Sequence, residues 1–226
     1  MVSAVRLTGT VAELHGRDPF AGGPIDAPEV WWCDFTDAAI VLGSSQRGEV
    51  LDAAAVAARG LHVVRRRSGG GAVLLVPGAV IWIDLVLPAG AWPGDVRASM
   101  SAAGHVWRTA LLATGAVAAQ GLTVHAGGMV VRPWSAAVCF AGVGPGEVLD
   151  ATGRKLVGLS QRRTRHGARL QGLVHVRPLV AATGALIDPS QRPEGAPEEA
   201  ALVGTLDAER LARQVGRAAE DALSVS

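Results

Sequence analysis

Two places in the chain carry residue types suited to handling an anion. The first is Val64-Arg65-Arg66-Arg67-Ser68-Gly69-Gly70-Gly71-Ala72-Val73. Three adjacent glycines lack a Cβ, so their N–H groups can turn toward a ligand and let it approach closely. The three arginines before them add positive charge. Together they suit a phosphate or a carboxylate, although a flexible loop with a solvated basic edge has the same composition. The segment is not a P-loop, because no Gly-Lys-Ser/Thr follows. Its glycines also lack the G-x-G-x-x-G spacing of a dinucleotide site. The second place is Lys155. Of 21 Lys+Arg in the chain, 20 are Arg, and Lys155 is the only lysine. Codon drift in a GC-rich genome explains why lysine is rare. It leaves open why position 155 kept a compact point charge where a planar guanidinium would have served elsewhere. A solvent-facing lysine not yet replaced by drift is the alternative.

Val63-Val64-Arg65-Arg66-x-Ser68-Gly69-Gly70-Gly71-Ala72-Val73 resembles the signature of lipoate–protein ligases, within the broader biotin/lipoate ligase and octanoyltransferase superfamily. The resemblance begins at Val41-Leu42-Gly43-Ser44-Ser45-Gln46, similar to that family's strand and G-x-x-Q turn. It resumes at Gly153-Arg154-Lys155-Leu156-Val157-Gly158-Leu159-Ser160-Gln161. It implies that ATP, with Mg, and lipoate or octanoate form an acyl-adenylate, and that the acyl group then passes to a lysine of a lipoyl-domain protein. On that likeness Arg66 and the backbone of Gly71, Ala72, Val73 and Leu74 hold the nucleotide phosphate and the carboxylate end. Ser68, Gly69, Gly70, Gly158, Leu159 and Ser160 line the acid's site, and Lys155 contacts the phosphate and the acyl oxygen. Attack on an acyl-adenylate builds negative charge on both those groups, so a fixed ammonium there stabilises the transition state most. Val73, Leu74, Trp82 and Leu173 are candidates for an apolar tunnel and serve equally well as core. No resident metal site is expected.

Val138-Cys139-Phe140, then Glu147-Val148, then Gly153-Arg154-Lys155 is also similar to cysteine-dependent octanoyltransferases. There Cys139 would take octanoate from an acyl carrier protein and pass it on, and a nearby cation would favour the thiolate. A buried inert cysteine is the alternative. Cys33, beside Trp31 and Trp32, reads as structural. Several features depart from the family. Leu74-Leu75-Val76-Pro77 stands where relatives have His-Asp, and Leu170-Gln171-Gly172 stands where they have a His before the Gly. These departures keep open a non-catalytic acyl-binding or regulatory relative.

These residues need a scaffold. At 23.1 kDa with 49% hydrophobic residues and a mean hydropathy of +0.30, the chain can bury a sizeable core. Its net charge of +1 and the absence of an N-terminal helix-turn-helix argue against a nucleic-acid binder. No apolar run reaches a membrane span and no signal-peptide core opens the chain, so a cytoplasmic protein is expected. The basic run Arg162 to Arg169 suits either docking of an acidic lipoyl domain or a solvated hairpin edge.

Short apolar runs predict strands at 38–42, 61–66, 122–125, 129–131, 136–140, 156–159 and 169–176, with a strand–turn–strand over 72–87. Helices are predicted over 49–59, 95–113 and, as one or two pieces, 201–222. The first thirty residues read as mixed and turn-rich. The sum is α+β: a mixed, largely antiparallel sheet with a few helices, biotin/lipoate ligase catalytic-domain-like. Residues 1–180 form the expected catalytic domain, with its motifs in about 38–176. Residues 181–226 form a Pro-rich loop and terminal helices, too short for the accessory domain of many ligases, which a separate protein could supply.

Overall fold

The structure is a computed structural model that describes residues 2–92, 94–116 and 121–224. The chain opens with β1 (Ser3–Gly9), α1 (Val11–Gly16), β2 (Glu29–Phe35) and β3 (Ala39–Leu42). Then come α2 (Ala53–Ala58), β4 (His62–Arg65), β5 (Val73–Leu75), β6 (Val80–Pro88) and α3 (Val96–Thr114). Short strands β7 (Thr123–Val124) and β8 (Val148–Leu149) lead to the long hairpin of β9 (Lys155–Thr164) and β10 (Gly167–His175). α4 (Val180–Gly184) and α5 (Ala208–Ser224) end the described chain. Seven strands form one sheet in the order β1-β2-β6-β10-β9-β8-β7, and three form a second in the order β4-β3-β5. The β1–β2 and β3–β4 pairs are parallel and the remaining pairs antiparallel. This is the expected α+β class, with a mixed, largely antiparallel sheet.

β6 explains the layering. Its side chains are buried on both faces and alternate between two cores, as a period of two requires. Trp82 and Val86 face the small sheet, packing in a core with Ile40, Leu42 and Leu75. Ile81, Ile83, Leu85 and Leu87 face α3 and α5, in a core with Trp107, Leu111, Leu211 and Val215. The site therefore lies between two sheets, and the helices back the larger one. α3 starts where Asp95 caps the Ala98 N–H and stops at Gly115, whose φ of +70° is the left-handed turn.

The strand–turn–strand expected over 72–87 does not form a hairpin. β5 pairs with β3 in the small sheet and β6 with β2 and β10 in the large one. Pro77-Gly78 carries the chain between sheets, with Gly78 at φ +72°. The strand expected at 136–140 is a turn ending in a 3-10 segment, Cys139–Ala141. The strand expected at 129–131 reduces to one bridge between Val130 and Val143. The helix expected over 49–59 starts only at the Asp52 cap. The mixed N-terminus contains both an edge strand and a helix with a Thr10–Glu13 capping box. At the other end a single helix packs along α3 and over β2. Among the described residues no helix is long and apolar enough to cross a membrane.

Candidate active site

The glycine loop is held by its neighbours rather than free. A Cβ on Gly43 would sit 1.9 Å from the Gly70 carbonyl oxygen, so β3 must end in glycine for the loop to cross it. Gln46 fixes that crossing. Its Oε1 accepts from the Gly43 N–H at 3.0 Å, and its Nε2 donates to the Ala136 and Ala137 carbonyls. Gly70 has φ +101°. A Cβ on Gly71 would lie 2.7 Å from the Cys139 nitrogen. This absence of side chains lets the loop lie against Val138-Cys139: Ala72 N–H donates to Ala137 O at 2.7 Å, and Cys139 N–H to Ala72 O at 2.9 Å.

Arg66 sits beneath the loop, 4% exposed. Its guanidinium donates to the carbonyls of Gly69 (2.7 Å) and Gly71 (2.8 Å), so it braces the loop from inside. Two backbone positions expected to face a ligand are otherwise engaged. Ala72 N–H is bound to Ala137, and Leu74 N–H donates to Thr183 Oγ1 at 3.3 Å. Gly69, Gly70 and Gly71 line an outer cavity, together with Cys139, Glu147, Lys155, Leu159, Ser160 and Gln161.

Lys155 opens β9 and is 4% exposed. Its Nζ donates to the Cys139 carbonyl at 2.8 Å and pairs with Glu147 Oε2 at 2.8 Å. An ammonium has three protons, of which these contacts use two, and Nζ also lies 5.2 Å from the centroid of the Phe140 ring. Glu147 is fully used. Its Oε2 also accepts from Gly144 N–H at 2.7 Å, and its Oε1 from Leu159 N–H at 3.1 Å. Glu147-Val148 is part of the likeness to the cysteine-dependent transferases, but that likeness assigns Glu147 no role. Lys155 is thus buried, which removes the solvent-facing alternative.

An inner pocket adjoins the outer one. Its walls are Val73, Leu75, Trp82, Phe140 and Leu173, with Arg66, Gly158 and Gly172 among the remainder. Three of the four tunnel candidates are there, and Leu75 replaces Leu74, which points into core. Cys139, Leu159 and Ser160 line both cavities and mark where they meet. Gly158 leaves space for the Phe140 ring, which an added Cβ would approach to 2.8 Å.

The polar groups of the inner pocket form a row: Ser160 Oγ to Ser68 Oγ (3.0 Å), Ser68 Oγ to Gln171 Oε1 (3.2 Å), and Gln171 Nε2 to His15 Nδ1 (3.4 Å). His15 comes from α1 and stacks on Trp82, ring centroids 4.2 Å apart. Burial, with Arg169 and Arg66 nearby, pushes its imidazole down to about 3. Burial, with Lys155 nearby, pushes His175 down to about 4, where it stacks on Phe140. Below the row lies a buried pair: Arg169 donates to Asp84 Oδ2 at 2.7 Å, and Asp84 also accepts from the Trp82 indole. Burial drives the Asp84 carboxyl up while Arg169 pulls it back. Cys33, against Asp84, is pushed well up by burial and is structural as expected. The basic run is therefore divided. Arg169 points inward, and Arg162 joins Arg67 on Asp18 Oδ2.

No curated protein matches the chain. Among solved structures, protein Ta0514 of T. acidophilum with bound lipoic acid is 16% identical. It covers 99% of this chain and 86% of its own, with a TM-score of 0.74. Lipoate-protein ligase A bound with ATP is 16% identical over 99% of this chain and 85% of its own, TM-score 0.70. A bi-partite lipoate protein ligase from Thermoplasma acidophilum, studied with its E2 lipoyl domain, is 15% identical over 99% and 84%, TM-score 0.73. At such identities the likeness is one of fold. The family model described as lipoyl protein ligase A/B catalytic domain matches residues 25–208, which include the glycine loop, Cys139 and Lys155. The chain belongs to the lipoyl protein ligase A/B catalytic domain family.

Proposed function

We propose that this protein attaches lipoate or octanoate to a lysine of a lipoyl-domain protein through an acyl-adenylate. The observation that carries the reading is the junction of the two cavities. An apolar pocket meets a larger one lined by glycine backbone, and the only lysine of the chain borders the second. The acyl chain occupies the inner pocket between Val73, Trp82 and Leu173. Its carboxylate lies near Ser160 and the positive charge of Arg66. ATP, brought with Mg, lies over Gly69–Gly71, and the third ammonium proton of Lys155 meets the acyl oxygen or the phosphate. Charge that grows on those oxygens as the acceptor amine attacks is met by a cation already fixed by Glu147 and Cys139, so no reorganisation is needed. ATP bound to the ligase A relative and the lipoyl domain studied with the bi-partite one support these assignments. ATP–pyrophosphate exchange dependent on lipoate or octanoate is the test. Absence of exchange with either acid removes the adenylating reading.

A second reading rests on Cys139, a free, half-buried cysteine where the cavities meet. It is the relay in which Cys139 takes octanoate from a carrier-protein thioester and releases the carrier thiol. Lys155 is engaged with the Cys139 carbonyl and Glu147, and this arrangement favours the adenylate route. Mass spectrometry after incubation with octanoyl carrier protein separates the two, since only the relay leaves an adduct that Cys139→Ala abolishes.

A further inference from the structure

The inner pocket is mostly apolar, with Arg66 and Cys139 on the side of the glycine loop and, apart from them, the row that starts at Ser160 and ends at His15. The end of that row is unsatisfied: His15 Nε2 is buried and has no hydrogen-bond partner. Its protonation follows from its neighbours. Gln171 Nε2 is the atom that lies 3.4 Å from His15 Nδ1. The amide oxygen then accepts from Ser68. A neutral imidazole whose Nδ1 accepts carries its proton on Nε2. His15 thus carries a buried N–H donor without a hydrogen-bond partner, on a ring that lines the pocket walled by Val73, Leu75, Trp82 and Leu173.

The donor is far from the carboxylate end. Ser160 lies on β9, at the junction with the outer cavity, while the Trp82 ring under His15 belongs to β6. β10 intervenes, so the two are separated by two strand spacings, roughly 10 Å. An acid seated with its carboxylate near Ser160 reaches His15 only with its tail. We propose that His15 is a specificity-determining residue that selects acids whose tail carries a hydrogen-bond acceptor, a ring sulfur, over acids with a plain hydrocarbon tail. This rests on the acyl-pocket reading above and deepens it. His15 precedes residue 25, where the matched family model begins.

The preference is one of penalties. A hydrocarbon tail covers the N–H and leaves it unpaired, whereas a sulfur, though a weak acceptor, pairs with it. Sites built around a buried donor reject the analogue that lacks the partner for this reason.

The test compares lipoate with 5-cyclopentylpentanoate, the same shape with carbon in place of sulfur, by calorimetric titration of the whole protein. The protein is expected to bind lipoate roughly five- to tenfold more tightly. In His15→Phe, which keeps the stack on Trp82 and loses the N–H, the ratio is expected to fall to about one. Equal affinities in the unaltered protein overturn the inference, as does an unchanged ratio in the variant, while the acyl-pocket reading survives either result. If lipoate, 5-cyclopentylpentanoate and octanoate all fail to bind, the acyl-pocket reading fails and takes the inference with it. The unaltered protein alone decides the first comparison should His15→Phe not fold.

Discussion

Replacing Lys155 by Met separates the two roles the structure gives this residue. Lys155 and Glu147 are 3% and 5% exposed and 2.8 Å apart. Removing one member of a buried ion pair costs about 3–5 kcal/mol, because the other charge is left uncompensated. Glu147 retains the N–H groups of Gly144 and Leu159, so the loss belongs at the low end, about 3 kcal/mol. For a chain of this size that lowers the melting temperature by roughly 6–12 °C. The chemical role predicts a second, separate deficit. Transfer from a preformed acyl-adenylate to a lipoyl domain, followed in a single turnover well below the variant's melting point, is expected to slow by about 10²–10³. Acid binding in the inner pocket should change little, since Lys155 does not line it. A folded Lys155→Met protein that transfers within tenfold of the original rate would refute the catalytic assignment and leave Lys155 as a structural partner of Glu147.

Three further outcomes are expected. His15 and His175 are neutral when folded but titrate near about 6.5 when unfolded. The unfolded chain then binds more protons below that pH, so stability is full above it and falls as pH drops from about 6.5 toward 4, by about 1.4 kcal/mol per pH unit for each imidazole. Urea midpoints measured across that range check this, and a flat profile would contradict it. Arg169→Met leaves Asp84 uncompensated in the core and should cost about 3–5 kcal/mol, much of it recovered when Asp84→Asn is added. Melting curves of both proteins decide. Gly158→Ala forces the Phe140 ring from its position, costing about 1–3 kcal/mol. Acid affinity should fall with it, because Phe140 also walls the inner pocket, and unchanged titrations would show that the ring relaxes elsewhere.

What could be read without coordinates was local. Gly43 and Gln46 stand three apart, and the turn they predict exists, with Gln46 bound to Gly43 and to the 136–137 carbonyls. The glycine loop was legible in the same way, as a run of residue types, while Lys155 stood out only as the single lysine of the chain. Contacts between distant segments left no such trace. His15 meets Gln171 across 156 positions, and the capped helix that brings it sits in a stretch that reads as turns. Periodicity correctly marked β5 and β6 as strands but cannot say which sheet receives each. Arg66 was expected on the ligand. Five donors on one side chain left unsaid that at least two would be turned onto the loop's own carbonyls.

The burial of Lys155 has a consequence for the reagent this protein is proposed to make. Acyl-adenylates react with any primary amine they meet. This chain carries a single lysine, and its amine is sunk beneath the surface against Glu147 and Cys139. Every other basic side chain apart from histidine is a guanidinium, which stays protonated and is a poor nucleophile. Apart from the N-terminal amine, the protein therefore offers its own activated product no exposed amine. An adenylate that escapes meets no exposed amine side chain on this protein, and the first within reach is the one an acceptor brings.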